Sequence, residues 1–370
     1  MNVLHISGAR SWGGNEQQLL YLTEELYQKG INQFLFGYEN SILSKRLQND
    51  AVKQILIPYV KPYKKSYRKS LKNILDTNEI DIIHLHTSDA VTGYVITDLL
   101  FNLDVKTVFS KKGISRKTSF LSKYKYNYKN IHKIICVSKV VENHFKEVLY
   151  KSRHHKLCVV YDAVRLQAEG DCKVTFVDLK ASLNLSDKIF LIGNIANHTD
   201  AKDLETLIRT LHHLIYELKI TNVYLAQIGS FSKRTEELKA LVKQLHLDSY
   251  ITFFGFKQDA SGFMPQFNMF LMTSQREGGP TTVLEAFSQK IPVVSTKVGV
   301  VVEAIEDGIN GFSTNVGNYK KLAKKIKRLW SNNELQQTFA TRSYSKFQKN
   351  FTVEQLGKET LKVYQEVLSS

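Results

Sequence analysis

Cysteine is scarce in this 370-residue chain, and the three that occur, Cys136, Cys158 and Cys172, are odd in number and lack C-x-x-C spacing. A disulfide framework and a zinc-thiolate site are therefore not indicated, and the three read as small buried hydrophobes. No apolar run approaches the roughly 18 residues needed to span a bilayer. The opening M-N-V-L-H-I-S enters a strand pattern directly, without a signal-peptide signature, so a cytoplasmic protein is expected. Also missing are the G-x-G-x-x-G dinucleotide fingerprint, internal repeats, low-complexity tracts and any D-x-D pair. The last absence removes the usual carboxylate clip for Mg²⁺ on a diphosphate. Acidic residues are absent from two stretches of the first half, 61–72 and 106–133.

What is present is the pattern of an α/β protein. A length of 370 residues exceeds one ordinary core and suggests two domains, and 43% apolar with 11% aromatic residues is a globular composition. Strand-like runs over 2–7, 32–37, 53–58, 81–86, 106–110, 133–138 and 157–161 alternate with helical patterns over 15–29, 41–49, 66–78, 88–101, 118–130 and 139–149. This is the rhythm of parallel β-α-β units. Periodicity lapses over 162–187, which marks a linker. A second strand series follows at 188–196, 222–229, 250–255, 268–274 and 291–296. The expected architecture is two doubly wound, Rossmann-like domains, residues 1–165 and 166–350, with a ligand cleft between them. Residues 351–370 make an amphipathic helix, with Leu361, Tyr364 and Leu368 at helical spacing, expected to pack back on the first domain.

The net charge of +16 is unevenly placed: residues 1–165 carry 26 Lys/Arg against 14 Asp/Glu, and the remainder 25 against 21. Lys61, Lys64, Lys65, Arg68, Lys69 and Lys72 cluster among Tyr59, Tyr63 and Tyr67, while 106–133 interleaves its cations with Phe109, Phe120, Tyr124, Tyr126 and Tyr128. Cations mixed with aromatics suit an anionic membrane surface, where each basic residue contributes about 1 kcal/mol and rings favour the interface. The plainer alternative is a solvated basic face. Nucleic acid is not an expected partner, since no recognition helix or stacking motif accompanies the charge.

Chemistry-bearing residues gather where strands end. In R-E-G-G-P-T-T-V-L-E-A-F, residues 276–287, Glu277 follows the strand N-M-F-L-M-T-S, and Glu285 lies eight positions on, within a helix that opens near Thr281. A helix start offers unpaired N–H groups and a positive dipole end to an anion, and Gly278 and Gly279 allow a ligand close to the main chain. Pro280 has no N–H to give but suits the first turn. Two glutamates so placed can accept hydrogen bonds from the hydroxyls of a sugar and a ribose; a surface carboxylate and a mid-helix charge are the plainer account. Gly13 and Gly14, after the first strand, form a second turn able to present N–H groups to a diphosphate, or a purely structural one. His84 and His86 share one strand face. His86, at the carboxyl end, can bond a sugar hydroxyl or a leaving phosphate, His84 is more a core histidine, and no third metal ligand is found nearby. Lys202, in the loop after strand 188–196, can offset phosphate charge or face solvent.

From Ile189 to Phe312 the segments V-Y-L-A-Q-I-G-S, L-K-A-L-V-K-Q-L-H-L-D-S-Y-I-T-F-F-G-F, S-Q-R-E-G-G-P-T-T-V-L-E-A-F and I-P-V-V-S-T-K-V-G-V-V-V-E-A-I-E-D-G-I-N-G-F succeed one another. This ordered set resembles the large family of retaining GT-B glycosyltransferases that includes many bacterial lipopolysaccharide enzymes, and the resemblance covers nearly the whole chain. It implies that Glu277 touches hydroxyls of the donor sugar and that Glu285 binds the nucleotide ribose. Backbone groups from Gly278 and Gly279 through Thr281, Thr282 and Val283 would contact sugar and diphosphate, and Lys202 would be the phosphate-binding lysine. Gly14, with Gly13, would close over the diphosphate, and main chain near Phe256 and Lys257 would face the base. Two positions depart from the family. Asn194 stands where an arginine often follows the first strand of the second domain, and Ser110-Lys111-Lys112-Gly113 replaces a loop histidine, so that Lys111 or Lys112 takes over positive charge at the phosphate.

The implied reaction moves a sugar, with retention, from a nucleoside diphosphate sugar to a hydroxyl of a glycan or lipid-linked acceptor at the cytoplasmic face of a membrane. No cofactor or metal is expected, and Glu277 and His86 are the catalytic candidates. Retaining glycosidases hold two carboxyls about 5 Å apart; no such pair is found, so front-side attack assisted by the departing phosphate is expected. The competing accounts are a nucleotide-sugar epimerase or hydrolase in the same fold and a basic membrane- or nucleic-acid-binding protein.

Overall fold

The computed structural model describes residues 1–47, 51–114, 118–166 and 177–370, so Cys172 and part of the expected linker lie outside the described residues. The chain divides into two units, Met1–Arg165 with Thr352–Ser370, and Leu166–Phe351. Among the described residues no helix is long and apolar enough to cross a membrane.

The first unit carries seven strands: β1 (Asn2–Ile6), β2 (Asn32–Tyr38), β3 (Lys53–Ile57), β4 (Ile82–Leu85), β5 (Lys106–Lys111), β6 (Lys133–Cys136) and β7 (Leu157–Val159). All are parallel, in the order β3-β2-β1-β4-β5-β6-β7, so the direction of winding reverses between β1 and β4. Side chains alternate between the two faces. Leu4, Ile83, Phe109 and Ile134 enter one core, while Val3, Ile82, Val108 and Ile135 enter the other.

The second core is closed by the helices Gly14–Gln28 and Val353–Ser369, so the chain terminus packs on the first unit. The buried stripe of the last helix is Leu356, Thr360, Val363, Tyr364 and Val367. Leu368, expected on that stripe, is 42% exposed, because the apolar face runs one position earlier through Val363 and Val367. Tyr364 is fully buried, and its hydroxyl meets His84 Nδ1 at 2.6 Å, tying the helix to β4.

The basic stretches are less uniformly exposed than their composition implies. Tyr67, Phe109 and Tyr128 are core residues, and Tyr67 lies so close to Gly93 that any side chain there would strike its ring. The exposed aromatics are Tyr59, Tyr63, Tyr124 and Phe120, the last 83% exposed beside Leu121 at 78%. The helix expected over 118–130 spans only Phe120–Tyr126, opened by the Ser119 hydroxyl accepting from the Ser122 N–H and closed at Asn127.

The second unit holds β8 (Phe190–Ile195), β9 (Val223–Ile228), β10 (Ile251–Phe253), β11 (Met269–Met272), β12 (Val293–Thr296) and β13 (Phe312–Thr314) in the order β10-β9-β8-β11-β12-β13. Here winding reverses between β8 and β11. Three residues of β13, after D-G-I-N-G, are too few to show a period, which is why the sequence pattern passes over it. Ile192, Leu225, Leu271, Val294 and Phe312 meet Leu207, Ile326 and Phe339 in one core.

Replacing Tyr364 by Ala removes a fully buried ring and its bond to His84, and should destabilise the protein by about 3–5 kcal/mol. The measurement is urea or thermal unfolding; an unchanged midpoint would mean that the last helix does not hold the first unit together.

Candidate functional site

In the second unit the loops leaving β8 and β11 are laced together beside the reversal point. A short 3-10 turn, Asp200–Lys202, follows β8, and Asp203 then adopts φ 47° with its carboxylate capping the next helix at the Thr206 N–H. Across the gap, the Thr273 hydroxyl donates to the Asp203 carbonyl at 2.9 Å, and the Gln275 N–H donates to the Ala201 carbonyl at 2.8 Å. This lacing places Lys202 Nζ 2.6 Å from Glu277 Oε1, which also accepts from the Ser274 hydroxyl at 2.8 Å. Gly299, at φ 49°, buttresses the turn from behind: a Cβ there would lie 2.8 Å from the Glu277 carbonyl and closer still to that of Gly278. Only glycine fits such a position.

Gly278 and Gly279 lead to Pro280, which flanks the helix Thr281–Ser288 without a side-chain cap. Thr282 is half-buried and Val283 fully buried in that first turn. Glu285 is half-buried one turn on. Burial pushes its pKa up to about 7, against the lowering effects of a hydrogen bond with Thr281 and the charge of Lys202. Lys202 thus acts on both glutamates. Phe256, 72% exposed, and Lys257 follow β10, two strands from β8, and make no contact with this cluster among the described interactions. Asn194 stands inside β8 rather than after it, buried, with its Nδ2 donating to the Leu271 carbonyl at 2.8 Å.

In the first unit Gly13 precedes the helix that begins at Gly14. The start of that helix already has an anion. Glu16, which sequence analysis did not single out, accepts hydrogen bonds from the backbone of Gly13 and of its own residue, while its burial raises its pKa. A diphosphate at this turn would meet that carboxylate. Lys111 donates to the Gly113 carbonyl and lies over the Phe145 ring, with its pKa lowered by burial. Lys112 pairs with Asp162 at 2.5 Å, both largely buried. Both lysines are therefore engaged within the first unit.

His86 directly follows β4 and is 7% exposed. The expectation that no third ligand-type residue lies near His84 and His86 is overturned. Pairing of β1 with β4 sets His5 opposite His84, and the three histidines offer ring nitrogens within 4.8 Å of one another.

Residues 176–346 match the family model described as glycosyl transferases group 1, and residues 12–168 match glycosyltransferase family 4. Each half of the chain thus matches a glycosyltransferase family, and the chain is a glycosyltransferase. It is 26% identical over 305 residues to an uncharacterised glycosyltransferase of Methanocaldococcus jannaschii, covering 80% of this chain and 78% of that one. Over 185 residues it is 25% identical to LpsE, a lipopolysaccharide core biosynthesis glycosyltransferase of Rhizobium meliloti, covering 50% and 52%. Its fold is that of the crystal structure of Anabaena HepE in complex with UDP and glucose, with a TM-score of 0.81 at 18% identity over 99% of this chain and 100% of that one. Two parallel-sheet Rossmann-like domains make this glycosyltransferase a GT-B protein.

A carboxyl whose pKa is raised on folding adds stability below its ordinary value of 4.5 and loses it as pH climbs through about 7. Replacing Glu285 by Gln removes that dependence. Between pH 5 and 8 the stability gap should move in the variant's favour by about 2–3 kcal/mol, measured by urea unfolding at each pH. A gap independent of pH would show that Glu285 titrates normally.

Proposed function

We propose that this glycosyltransferase moves a sugar, with retention, from a nucleoside diphosphate sugar to a hydroxyl of a glycan or lipid-linked acceptor. The observation that carries this reading is the convergence of Lys202, Glu277 and Glu285 beside the reversal point of the second sheet, where ligands of open α/β sheets collect. Lys202 is a point cation for the diphosphate, and the start of helix Thr281–Ser288 adds N–H groups and dipole. Glu277 takes hydroxyls of the sugar and Glu285 those of the ribose. In the free protein the Lys202–Glu277 pair holds both side chains in place; a donor phosphate draws off Lys202 and frees the carboxylate for the sugar. A donor of this class is supported by the UDP and glucose bound to Anabaena HepE, and a glycan acceptor by relatives in lipopolysaccharide core, capsule and O-antigen synthesis.

In the proposed reaction the bond from the anomeric carbon to the diphosphate oxygen breaks, and the acceptor oxygen bonds the same face. The acceptor proton passes to the departing phosphate oxygen. Glu277 binds away from the anomeric carbon, so the protein contributes position and fixed charge. With no D-x-D pair in the chain, the leaving diphosphate falls to Lys202 and backbone N–H groups. The exposed Phe120 and Leu121, with Lys123 on the same short helix, and the lysines around Tyr63 suit docking to an anionic membrane where a lipid-linked acceptor resides.

Replacing Glu277 by Ala should lower transfer at least about a hundredfold with the melting temperature little changed. A variant with wild-type turnover would refute the assignment. Incubation with a nucleotide sugar alone separates transfer from epimerase or hydrolase action, which release an epimer or free sugar without an acceptor.

Binding to liposomes should rise with anionic lipid content and fall with salt, and should be lost when Lys61, Lys64, Lys65 and Lys69 all become Glu. Indifference to lipid charge in a sedimentation assay would remove the membrane from this account.

A further inference from the structure

Where the first sheet reverses, the hydrogen bonds around His5 and His86 determine where their protons sit. Gln33 is the anchor. Its Nε2 donates to the carbonyls of Thr23 at 2.8 Å and Ala51 at 3.3 Å. Carbonyls only accept, so the amide has one orientation, with Oε1 facing His5 Nε2 at 3.1 Å. Because Oε1 also only accepts, His5 carries its proton on Nε2. Burial drives the His5 pKa down to about 4 in spite of the Gln33 bond, so the ring is neutral at pH 7 and its Nδ1 is bare.

That bare nitrogen lies 3.0 Å from His86 Nε2, which must therefore be the protonated nitrogen of His86. His86 is neutral too: burial first, then the neighbouring His84, His5 and Lys112, holds its pKa well below the usual histidine value. Its Nδ1 is left as a bare lone pair, and among the described residues no hydrogen bond reaches it. His84 stands outside this chain of bonds, its nitrogens taken by the hydroxyls of Tyr364 at 2.6 Å and Ser110 at 2.8 Å.

His86 occupies the place in the first unit that a ligand would reach. Its backbone N–H donates to the Ile6 carbonyl at 2.9 Å, so it stands at the carboxyl ends of β1 and β4, where the two strands part. A bare nitrogen selects its partner. A phosphate ester oxygen ionised at pH 7 has no proton to give and would be repelled, whereas a hydroxyl donates. A hydroxyl held through its hydrogen also keeps its oxygen lone pairs free.

We propose that Gln33 and His5 are positioning residues that fix His86 as the Nε2–H tautomer, so that its Nδ1 accepts a hydrogen bond from a substrate hydroxyl and not from the leaving phosphate. The role in transfer rests on the glycosyltransferase reading above; the tautomer does not.

The test begins with the wild-type protein labelled with ¹⁵N in its histidines. Long-range ¹⁵N–¹H correlation spectra should show His5 and His86 both neutral and protonated at Nε2. His86 protonated at Nδ1, or charged at pH 7, overturns the proposal whatever the activity. So does one tightly held metal ion per chain bound by these histidines, because the metal would replace the proton between His5 and His86.

Two variants then read the role. His5→Asn keeps an acceptor oxygen near the position of Nδ1, and His5→Leu does not. His5→Leu should lower kcat about tenfold, the scale of one lost hydrogen bond to the reacting complex, while His5→Asn should recover most of the loss. A fall in donor affinity would assign the hydroxyl to the donor, and a rise in acceptor KM to the acceptor. Equal loss in both variants, with the predicted spectrum and intact melting curves, overturns the positioning role. Absence of transfer by the wild type overturns the glycosyltransferase reading and leaves the tautomer assignment to the spectrum.

Discussion

Right-handed crossovers between parallel strands govern the placement of the functional residues in this protein. A parallel sheet must be covered on both faces, and helices reach the second face only if the chain reverses its direction of winding once. Each sheet therefore has one pair of neighbouring strands, β1 with β4 and β8 with β11, whose following loops diverge to opposite sides. The space between those loops is bordered by strand ends and helix starts. Gly13 and His86 stand at the first such space, and Lys202 and Glu277 at the second. Neither pair is close in sequence: Lys202 and Glu277 are 75 positions apart, and the crossover alone makes them neighbours.

The two spaces differ in electrical character. In the second unit the partners are charged, and a half-buried lysine is shared between two carboxylates of which one is pushed toward neutrality. In the proposed reaction such a site would exchange partners, because an incoming diphosphate offers Lys202 more charge than Glu277 does. In the first unit the cations already have partners. Lys112 is paired with Asp162, Lys111 is held by the Gly113 carbonyl, and the helix start is neutralised by Glu16, leaving neutral imidazoles at the strand ends. A neutral, hydrogen-bonding surface suits hydroxyls.

The sequence makes the local features legible and leaves the non-local ones hidden. Twelve of the strand runs are apolar enough to announce themselves, and Glu277, Glu285 and Lys202 follow from turn residues placed after such runs. Phe312–Thr314 carries no period because it is too short, and its place is settled by pairing with β12. His5 appears in the sequence as an ordinary residue of an apolar strand; only the register of β1 against β4 reveals it as a neighbour of His84 and His86. Gly299 is similar, since its need for a left-handed backbone comes from carbonyls contributed by another loop. The aromatics of the basic stretches were legible as a class but not in their exposure: Tyr67 lies in the helix Lys65–Thr77 and turns its ring onto Phe36 of β2, whereas Tyr63 lies in the turn before that helix and faces water.

Buried histidines illustrate how such non-local contacts acquire function. An imidazole in a core is tolerated only when its nitrogens are satisfied, and a chain of satisfied nitrogens has a direction, because each neutral ring gives one hydrogen bond and accepts one. The direction is set at one end by Gln33, whose amide is pinned by two carbonyls, and it emerges at the other end on His86. Burial, which lowers the pKa of these rings, keeps the chain neutral and therefore directional over the ordinary pH range. Structural satisfaction of the core and chemical polarity at the strand ends are thus one arrangement: the bonds that pair the nitrogens of His5 leave a bare lone pair on His86 at the strand ends.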